Sequence, residues 1–112
     1  ASGCGPCRNE MPDFQVAYEK YGDEVQFLMV NLTDGGDETV ESASKYIENY
    51  GYTFPVYFDE DLSAARAYVV NSVPRTYFID AEGHAIARAQ GAIDGDTLLY
   101  GIKMIRGQLE EN

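Results

Sequence analysis

The apolar residues near the start of the chain recur at the spacing of a helix. Between residues 8 and 21 they fall three and four positions apart, which places them on one helical face. Gly22 should end this helix, and Pro12 should bend it about one turn in, because proline removes a helical hydrogen bond. The face consists of Met11, Phe14, Tyr18 and Tyr21. The pattern therefore predicts a kinked amphipathic helix as the first element.

The middle of the chain predicts a strand, a helix and a second strand. Residues 25–31 are almost continuously apolar, which is typical of a central strand covered on both faces. A loop at residues 33–37 leads into a second amphipathic helix that ends at Gly51. Its apolar residues are Val40, Ala43, Ile47 and Tyr50. Residues 53–58 contain Pro55 and predict a short strand at a sheet edge, where proline is tolerated.

The last third of the chain predicts a weak helix, a hairpin and a final helix. Residues 62–68 are weakly helical, and residues 75–80 and 85–89 flank a turn-rich link that favours two antiparallel strands. Asp94 is a candidate N-cap of the final helix. The apolar positions of that helix are Leu98, Leu99, Ile102, Ile105 and Leu109. The chain has no repeats and no linker, so the pattern predicts one α/β domain over residues 1–112.

Composition and charge argue against two classes of protein. The chain has 19 acidic and 8 basic residues and a net charge of −11, which disfavours binding to the phosphate backbone of nucleic acids. Its apolar runs are far shorter than the roughly 20 residues that a membrane-spanning helix needs. With 45% hydrophobic residues, the chain has the composition of a folded domain. We therefore expect a folded domain with no nucleic-acid partner and no membrane span.

The two cysteines of the chain, Cys4 and Cys7, flank Gly5 and Pro6 at the front of the first predicted helix. Unpaired backbone N–H groups and the helix dipole stabilise a thiolate there, so the pKa of Cys4 should fall from ~8.5 toward ~7 or lower. Cys4 would then attack a disulfide at neutral pH, and Cys7, one turn further on, would attack the resulting mixed disulfide. The motif predicts dithiol exchange, with the Cys4–Cys7 disulfide as the redox group and no added cofactor.

Two other interpretations of the C-x-x-C pair stay open at this point. A zinc site needs four ligands, and the chain offers two cysteines and the distant His84, so zinc would require a partner chain. A structural disulfide across so short a loop would add little stability, because the entropic gain grows with loop length. We expect no metal site in the chain itself, and we expect His84 to be a solvated turn residue.

Two segments of the sequence resemble a known family. Residues 1–12, ASGCGPCRNEMP, look like the active-site segment of the thioredoxin superfamily, and residues 8–12 resemble its extracytoplasmic TlpA/ResA-like branch. Residues 72–80, SVPRTYFID, are similar to the cis-proline loop of the family and the strand after it. Shorter similarities extend the resemblance over almost the whole chain, at residues 30–32, 54–56 and 80–83.

The resemblance implies a thioredoxin-like fold, with helices flanking a mixed central sheet. It implies that Cys4 is the nucleophile, that Cys7 is the resolving thiol, and that Pro74 is cis and packs beside them. The backbone of Val73 would then pair with an extended substrate. An acidic residue near the active site is also implied, and Asp34 is the nearest match. Asp34 would relay a proton for Cys7, or it is a solvated loop residue.

The activity implied by the resemblance is that of a thiol-disulfide oxidoreductase acting on protein disulfides and fed by an upstream protein electron donor. The Gly5-Pro6 dipeptide, shared with thioredoxin at about −270 mV, favours a reductant over an oxidant near about −120 mV. The branch implies a location in the periplasm or at the outer face of the cytoplasmic membrane, with any anchor before Ala1. The alternative is a metal-binding or copper-delivery module on the same fold, although such relatives use a longer cysteine spacing and a histidine.

The chain departs from the family pattern in two places. Gly3 stands where the family usually has tryptophan, which makes the site more open and changes the surface that meets partners. The family also has a central strand before the active site, and this chain begins too late to contain it. The strands at residues 25–31 and 75–80 would then lack the neighbour expected between them. We expect a truncated sequence, the alternatives being a strand from another copy or a differently closed sheet.

Overall fold

The structure, a computed structural model, describes residues 1–107, and these residues form four helices and four strands. The helices are α1 (Gly5–Tyr21), α2 (Val40–Asn49), α3 (Ser63–Ala67) and α4 (Gly95–Ile105). The strands are β1 (Met29–Asn31), β2 (Val56–Phe58), β3 (Arg75–Ile79) and β4 (Ala85–Gln90). The helices and strands follow one another along the chain in the order that the apolar pattern predicts. Leu109, assigned to the last helix from the sequence, lies outside the described residues.

Helix α1 begins three residues before the start of its apolar pattern, because Cys4 caps it. Cys4 is extended, and its sulfur accepts the backbone N–H of Cys7. Pro6 lies in the first turn, where its missing N–H leaves no helical hydrogen bond unmade. The helix continues through Pro12, so this proline does not end it. Its buried residues are Cys7, Glu10 and Phe14.

The strands form two separate two-stranded sheets. β1 and β2 are parallel, with Met29 opposite Val56. β3 and β4 form the antiparallel hairpin that the sequence predicts, with Arg75 opposite Gln90. The mixed sheet expected from the resemblance is therefore present as two separate pieces, one parallel and one antiparallel. Within residues 1–107 no strand joins the two parts, so the sheet has not closed into a continuous one between β1 and β3.

The apolar run at residues 25–31 differs from its prediction in length and in cover. Only Met29–Asn31 pair as a strand, and Leu28 and Val30 are 59% and 49% exposed. A strand buried on both faces needs neighbours that carry covering helices over each face. In the described part of the chain, β1 has β2 as its only strand neighbour. The prediction of a central strand covered on both faces is therefore wrong for this structure.

One aromatic-rich core connects α1, both sheets and α4. Its buried residues are Phe14, Phe27, Phe54, Phe78, Leu98 and Ile102. Each such side chain stabilises the fold by about 1.5–3 kcal/mol through removal from water. Gly101 of α4 lies against Phe78 so closely that a Cβ at this position would overlap the phenyl ring. This contact fixes how near α4 approaches β3.

Side chains cap the helices α2 and α4. Thr39 and Ser42 form a capping box at the start of α2, each accepting the backbone N–H of the other over 2.9–3.0 Å. Asp94 accepts the N–H of Thr97 and caps α4, as the sequence predicts. No helix within residues 1–107 combines the length and the apolar composition that crossing a membrane requires.

Candidate active site

The two cysteines lie together at the start of α1. A disulfide joins Cys4 to Cys7, with their Cα atoms 5.2 Å apart. The N–H of Cys7 donates to the sulfur of Cys4 over 3.2 Å, so an amide of the first helical turn points at that sulfur. After reduction, this amide and the helix dipole would stabilise a thiolate on Cys4. Cys4 is partly exposed and Cys7 is 6% exposed, so a large substrate can reach only Cys4.

The loop before β3 brings Val73 and Pro74 beside the cysteines. The Val73–Pro74 peptide bond is cis, and Pro74 is buried. The carbonyl oxygen of Val73 lies 3.9 Å from the sulfur of Cys4. The N–H of Gly91 donates to the carbonyl of Pro74 over 2.9 Å and anchors the loop to the end of β4. The structure thus brings four of the residues named from the sequence, Cys4, Cys7, Val73 and Pro74, into one site.

Asp34 lies in the exposed loop after β1. Its Oδ1 accepts the backbone N–H groups of Gly36, over 2.9 Å, and Glu38, over 3.3 Å. These bonds close the loop locally, and within residues 1–107 Asp34 forms no hydrogen bond to either cysteine. Its role as a proton relay stays a prediction.

Glu38 is the acidic residue of this loop that reaches the segment before Cys4. It is 5% exposed. Its carboxylate accepts the backbone N–H of Ser2, the hydroxyl of Ser2 at 2.6 Å, the amide of Asn31 at 2.8 Å and the hydroxyl of Ser42 at 2.7 Å. Burial alone would raise the pKa of Glu38, but these hydrogen bonds lower the pKa from 4.5 to about 2. Glu38 therefore ties the residues before Cys4 to β1 and α2 as a buried carboxylate.

Replacing Glu38 with glutamine should reduce stability in a pH-dependent way. Because the folded-state pKa is depressed, the stabilisation is complete above pH 4.5 and is lost as the pH falls through about 2. Its size is about 3 kcal/mol. Denaturant unfolding at several pH values from 7 to 2 should show that the free energies of unfolding of wild type and Glu38→Gln differ at neutral pH and converge as the pH falls. Glu48→Gln, on the exposed side of α2, is the control, and parallel curves for wild type and Glu38→Gln would contradict the account.

Glu10 is a second buried carboxylate near the disulfide. It is 4% exposed, and its Oε2 accepts the N–H of Ile93 over 3.1 Å. Burial raises the pKa of Glu10, and the bond from Ile93 partly opposes this. Gly91 donates to the carbonyl of Pro74, and Ile93 donates to Glu10 of α1. Residues 91–93 therefore connect α1 to the loop that contains Pro74. Glu10 was not predicted as a site residue from the sequence, although its spacing of three from Cys7 places it on the buried face of α1.

Arg8 connects the start of α1 to the aromatic end of α2. Its guanidinium lies 4.7 Å from the ring centroid of Tyr46 and donates to the hydroxyl of Tyr50 over 2.8 Å and to the carbonyl of Ser2 over 3.1 Å. Burial and the neighbouring Tyr52 raise the pKa of Tyr46 to about 12.

A cavity of about 80 Å³ opens between α1, α2 and the β1–β2 sheet. Its lining includes Cys7, Met11, Tyr46 and Phe54.

His84 lies in the turn between β3 and β4, as the sequence predicts. Its side chain is 76% exposed, and its Nδ1 is 3.7 Å from the carboxylate of Asp80. Asp80 also accepts the backbone N–H groups of Glu82 and His84 over 3.0 Å and 2.8 Å. The carboxylate of Asp80 therefore closes the hairpin turn.

The fold and the cysteine site together define a thioredoxin-like protein with a disulfide at the start of a helix. The sequence matches the model of the AhpC/TSA family over residues 1–88, and the chain belongs to this family. The thioredoxin-like fold and the ResA-like resemblance predicted from the sequence are confirmed by this match and by the similar proteins described next.

Two curated proteins with the name thiol-disulfide oxidoreductase ResA are similar to this chain. The protein from Oceanobacillus iheyensis is 35% identical over 99 residues, which cover 88% of this chain and 50% of that protein. The protein from Geobacillus thermodenitrificans is 35% identical over 106 residues, covering 92% and 58%. The chain spans about half the length of the curated relatives it matches.

A solved structure shares the fold closely. The exposed lipoprotein thioredoxin Etrx1 of Streptococcus pneumoniae superposes with a TM-score of 0.81 at 26% sequence identity. The superposition covers 93% of this chain and 78% of that chain.

Proposed function

We propose that this protein is a thiol-disulfide oxidoreductase that exchanges its Cys4–Cys7 pair with disulfides of protein substrates. The observation that carries the proposal is the unequal placement of the two sulfurs. Cys4 caps α1 and is partly exposed, whereas Cys7 is buried and its N–H points at the sulfur of Cys4. One sulfur is placed to meet the substrate and the other to complete the exchange.

The exchange takes two steps in the reductive direction. The thiolate of Cys4 attacks one sulfur of the substrate disulfide, a mixed disulfide forms, and the second substrate sulfur leaves as a thiolate that takes a proton. Cys7 then loses its proton and attacks the sulfur of Cys4, forming the Cys4–Cys7 disulfide and releasing the first substrate sulfur as a thiolate. Two electrons pass from the dithiol to the substrate. Asp34 is proposed as the proton relay for Cys7.

The substrate segment would bind in extended form along Val73. Among residues 1–107, neither the N–H nor the carbonyl of Val73 belongs to a backbone hydrogen bond, and its carbonyl lies near the sulfur of Cys4. Free backbone groups beside a reactive sulfur suit β-type pairing with a peptide. Pro74, which has no N–H, would pack against the same segment.

We also propose that the protein is a reductant fed by a protein electron donor outside the cytoplasm. The Gly5-Pro6 dipeptide supports the direction by its likeness to thioredoxin. The similar pneumococcal protein, which is named an exposed lipoprotein, supports the location.

Insulin reduction tests the activity, and the reduction potential of the Cys4–Cys7 couple tests its direction. The reduced protein should cleave insulin disulfides with one Cys4–Cys7 bond formed per substrate disulfide, and the couple should have a potential near about −270 mV. A potential above about −150 mV would overturn the direction. Tight stoichiometric binding of Cu(I) without insulin reduction would overturn the activity and favour a copper-delivery module.

A further inference from the structure

Arg75 lies next to the place where a substrate would bind. It follows the Val73–Pro74 pair directly and begins β3. The carbonyl of Val73 is 3.9 Å from the sulfur of Cys4, and two residues of chain span at most about 7 Å. The guanidinium of Arg75 is therefore within side-chain reach of a peptide that pairs with Val73.

The guanidinium of Arg75 is held only weakly. Nη1 donates to the carbonyl of Val69 at 3.5 Å, and Nη2 donates to the side chain of Asn71 at 3.3 Å. Typical N–H···O bonds are about 2.9–3.0 Å long. Nε is buried without a hydrogen-bond partner in the described part of the chain. A guanidinium has five N–H donors, so Nη1 and Nη2 each keep one further N–H that a ligand could use.

The guanidinium of Arg75 has no carboxylate partner of its own within residues 1–107, which it shares with the other lysines and arginines apart from Arg106. The chain has 19 acidic and 8 basic residues. The two contacts of Arg75 are to exposed residues of the loop before Val73. A carboxylate offered by another molecule could replace these long contacts with two charge-assisted bonds, which are roughly twice as strong as neutral ones.

We propose that Arg75 is a specificity residue that binds the carboxylate of an Asp or Glu side chain in the substrate. The inference rests on the proposed function and deepens it, because it names the class of disulfide that the protein prefers. Residues of an extended strand are about 3.3 Å apart, so the acidic residue lies within about four positions of the reacting cysteine. Arg75 supplies a local attraction where the net charge of −11 repels acidic substrates at longer range.

The test compares two synthetic disulfide peptides that differ at two positions. One carries Glu three positions from the reacting cysteine, on both sides, and the other carries Gln there. The kcat/KM of the reduced protein should favour the Glu peptide by about tenfold. In Arg75→Gln this ratio should fall to about one, and in Arg75→Lys it should be intermediate, because lysine keeps the charge but loses the planar fork.

The matched control is Arg88→Gln, which removes the same charge from an exposed position on β4 opposite Tyr77. It should keep the ratio near its wild-type value. Equal ratios for Arg75→Gln and wild type, or an equal loss in Arg88→Gln, would overturn the inference. A neutral small disulfide, 2-hydroxyethyl disulfide, separates the two proposals. If wild type reduces it but shows no Glu preference, only the specificity is wrong; if wild type reduces nothing, the proposed function is wrong as well.

Discussion

Replacement of Cys7 by serine is expected to stop turnover and to trap one covalent complex with the substrate. Cys4 still caps α1, so its thiolate attacks the substrate disulfide and forms the mixed disulfide. Without the sulfur of Cys7 the second step has no nucleophile. Turnover should fall by at least about two orders of magnitude. Mass spectrometry should detect a protein–substrate adduct that dithiothreitol releases.

Cys4→Ser is the matched variant, since it also leaves one cysteine. Its remaining thiol is the buried one, at 6% exposure, so this variant should show neither turnover nor an adduct. An adduct in Cys4→Ser together with none in Cys7→Ser would reverse the assigned roles. Comparable adducts in both variants would show that burial of Cys7 does not determine the order of attack.

The second large effect is expected in the core. Phe78→Ala should reduce the free energy of unfolding by about 3–5 kcal/mol, because Phe78 is 7% exposed and packs against α4. Whole domains have only about 5–15 kcal/mol of stability. Phe78→Leu, which leaves a smaller cavity, is therefore measured alongside it. Denaturant unfolding monitored by circular dichroism gives both values.

Gly101→Ala tests the same contact from the side of the helix. The added Cβ would overlap the ring of Phe78, and such overpacking costs about 1–3 kcal/mol. In the Phe78→Ala or Phe78→Leu background the ring is gone, so Gly101→Ala should become neutral or stabilising, since alanine favours helices over glycine. Additive effects in this double-mutant cycle would contradict the described packing.

The helices and the hairpin could be predicted because their cause is local. Apolar spacing shows which side of α1 and of α4 is buried, and Asp94 shows where α4 begins. The cover of β1 could not be predicted in the same way. An apolar run indicates that side chains need cover, but it does not identify the element that supplies it, and Leu28 and Val30 stay exposed in this structure.

Site residues could be predicted where a sequence motif contains them. They were missed where only tertiary contacts identify them. Cys4, Cys7 and Pro74 lie within recognisable segments. Asp34 and Glu38 belong to the same acidic loop, and nothing local distinguishes them. The hydrogen bonds from Ser2, 36 positions away, select Glu38 as the buried carboxylate. Arg75 was missed for the same reason, because its incomplete hydrogen bonding is visible only in the folded chain.

Alkylation of the reduced protein over a range of pH tests the central claim most directly. The rate at which iodoacetamide modifies Cys4, followed by mass spectrometry, reports the fraction of thiolate at each pH. If the start of α1 stabilises that thiolate, the rate should reach half its maximum at least about one pH unit below the ~8.5 of free cysteine. A midpoint at ~8.5 would mean that the helix leaves the sulfur unactivated, and the proposed chemistry would have no physical basis.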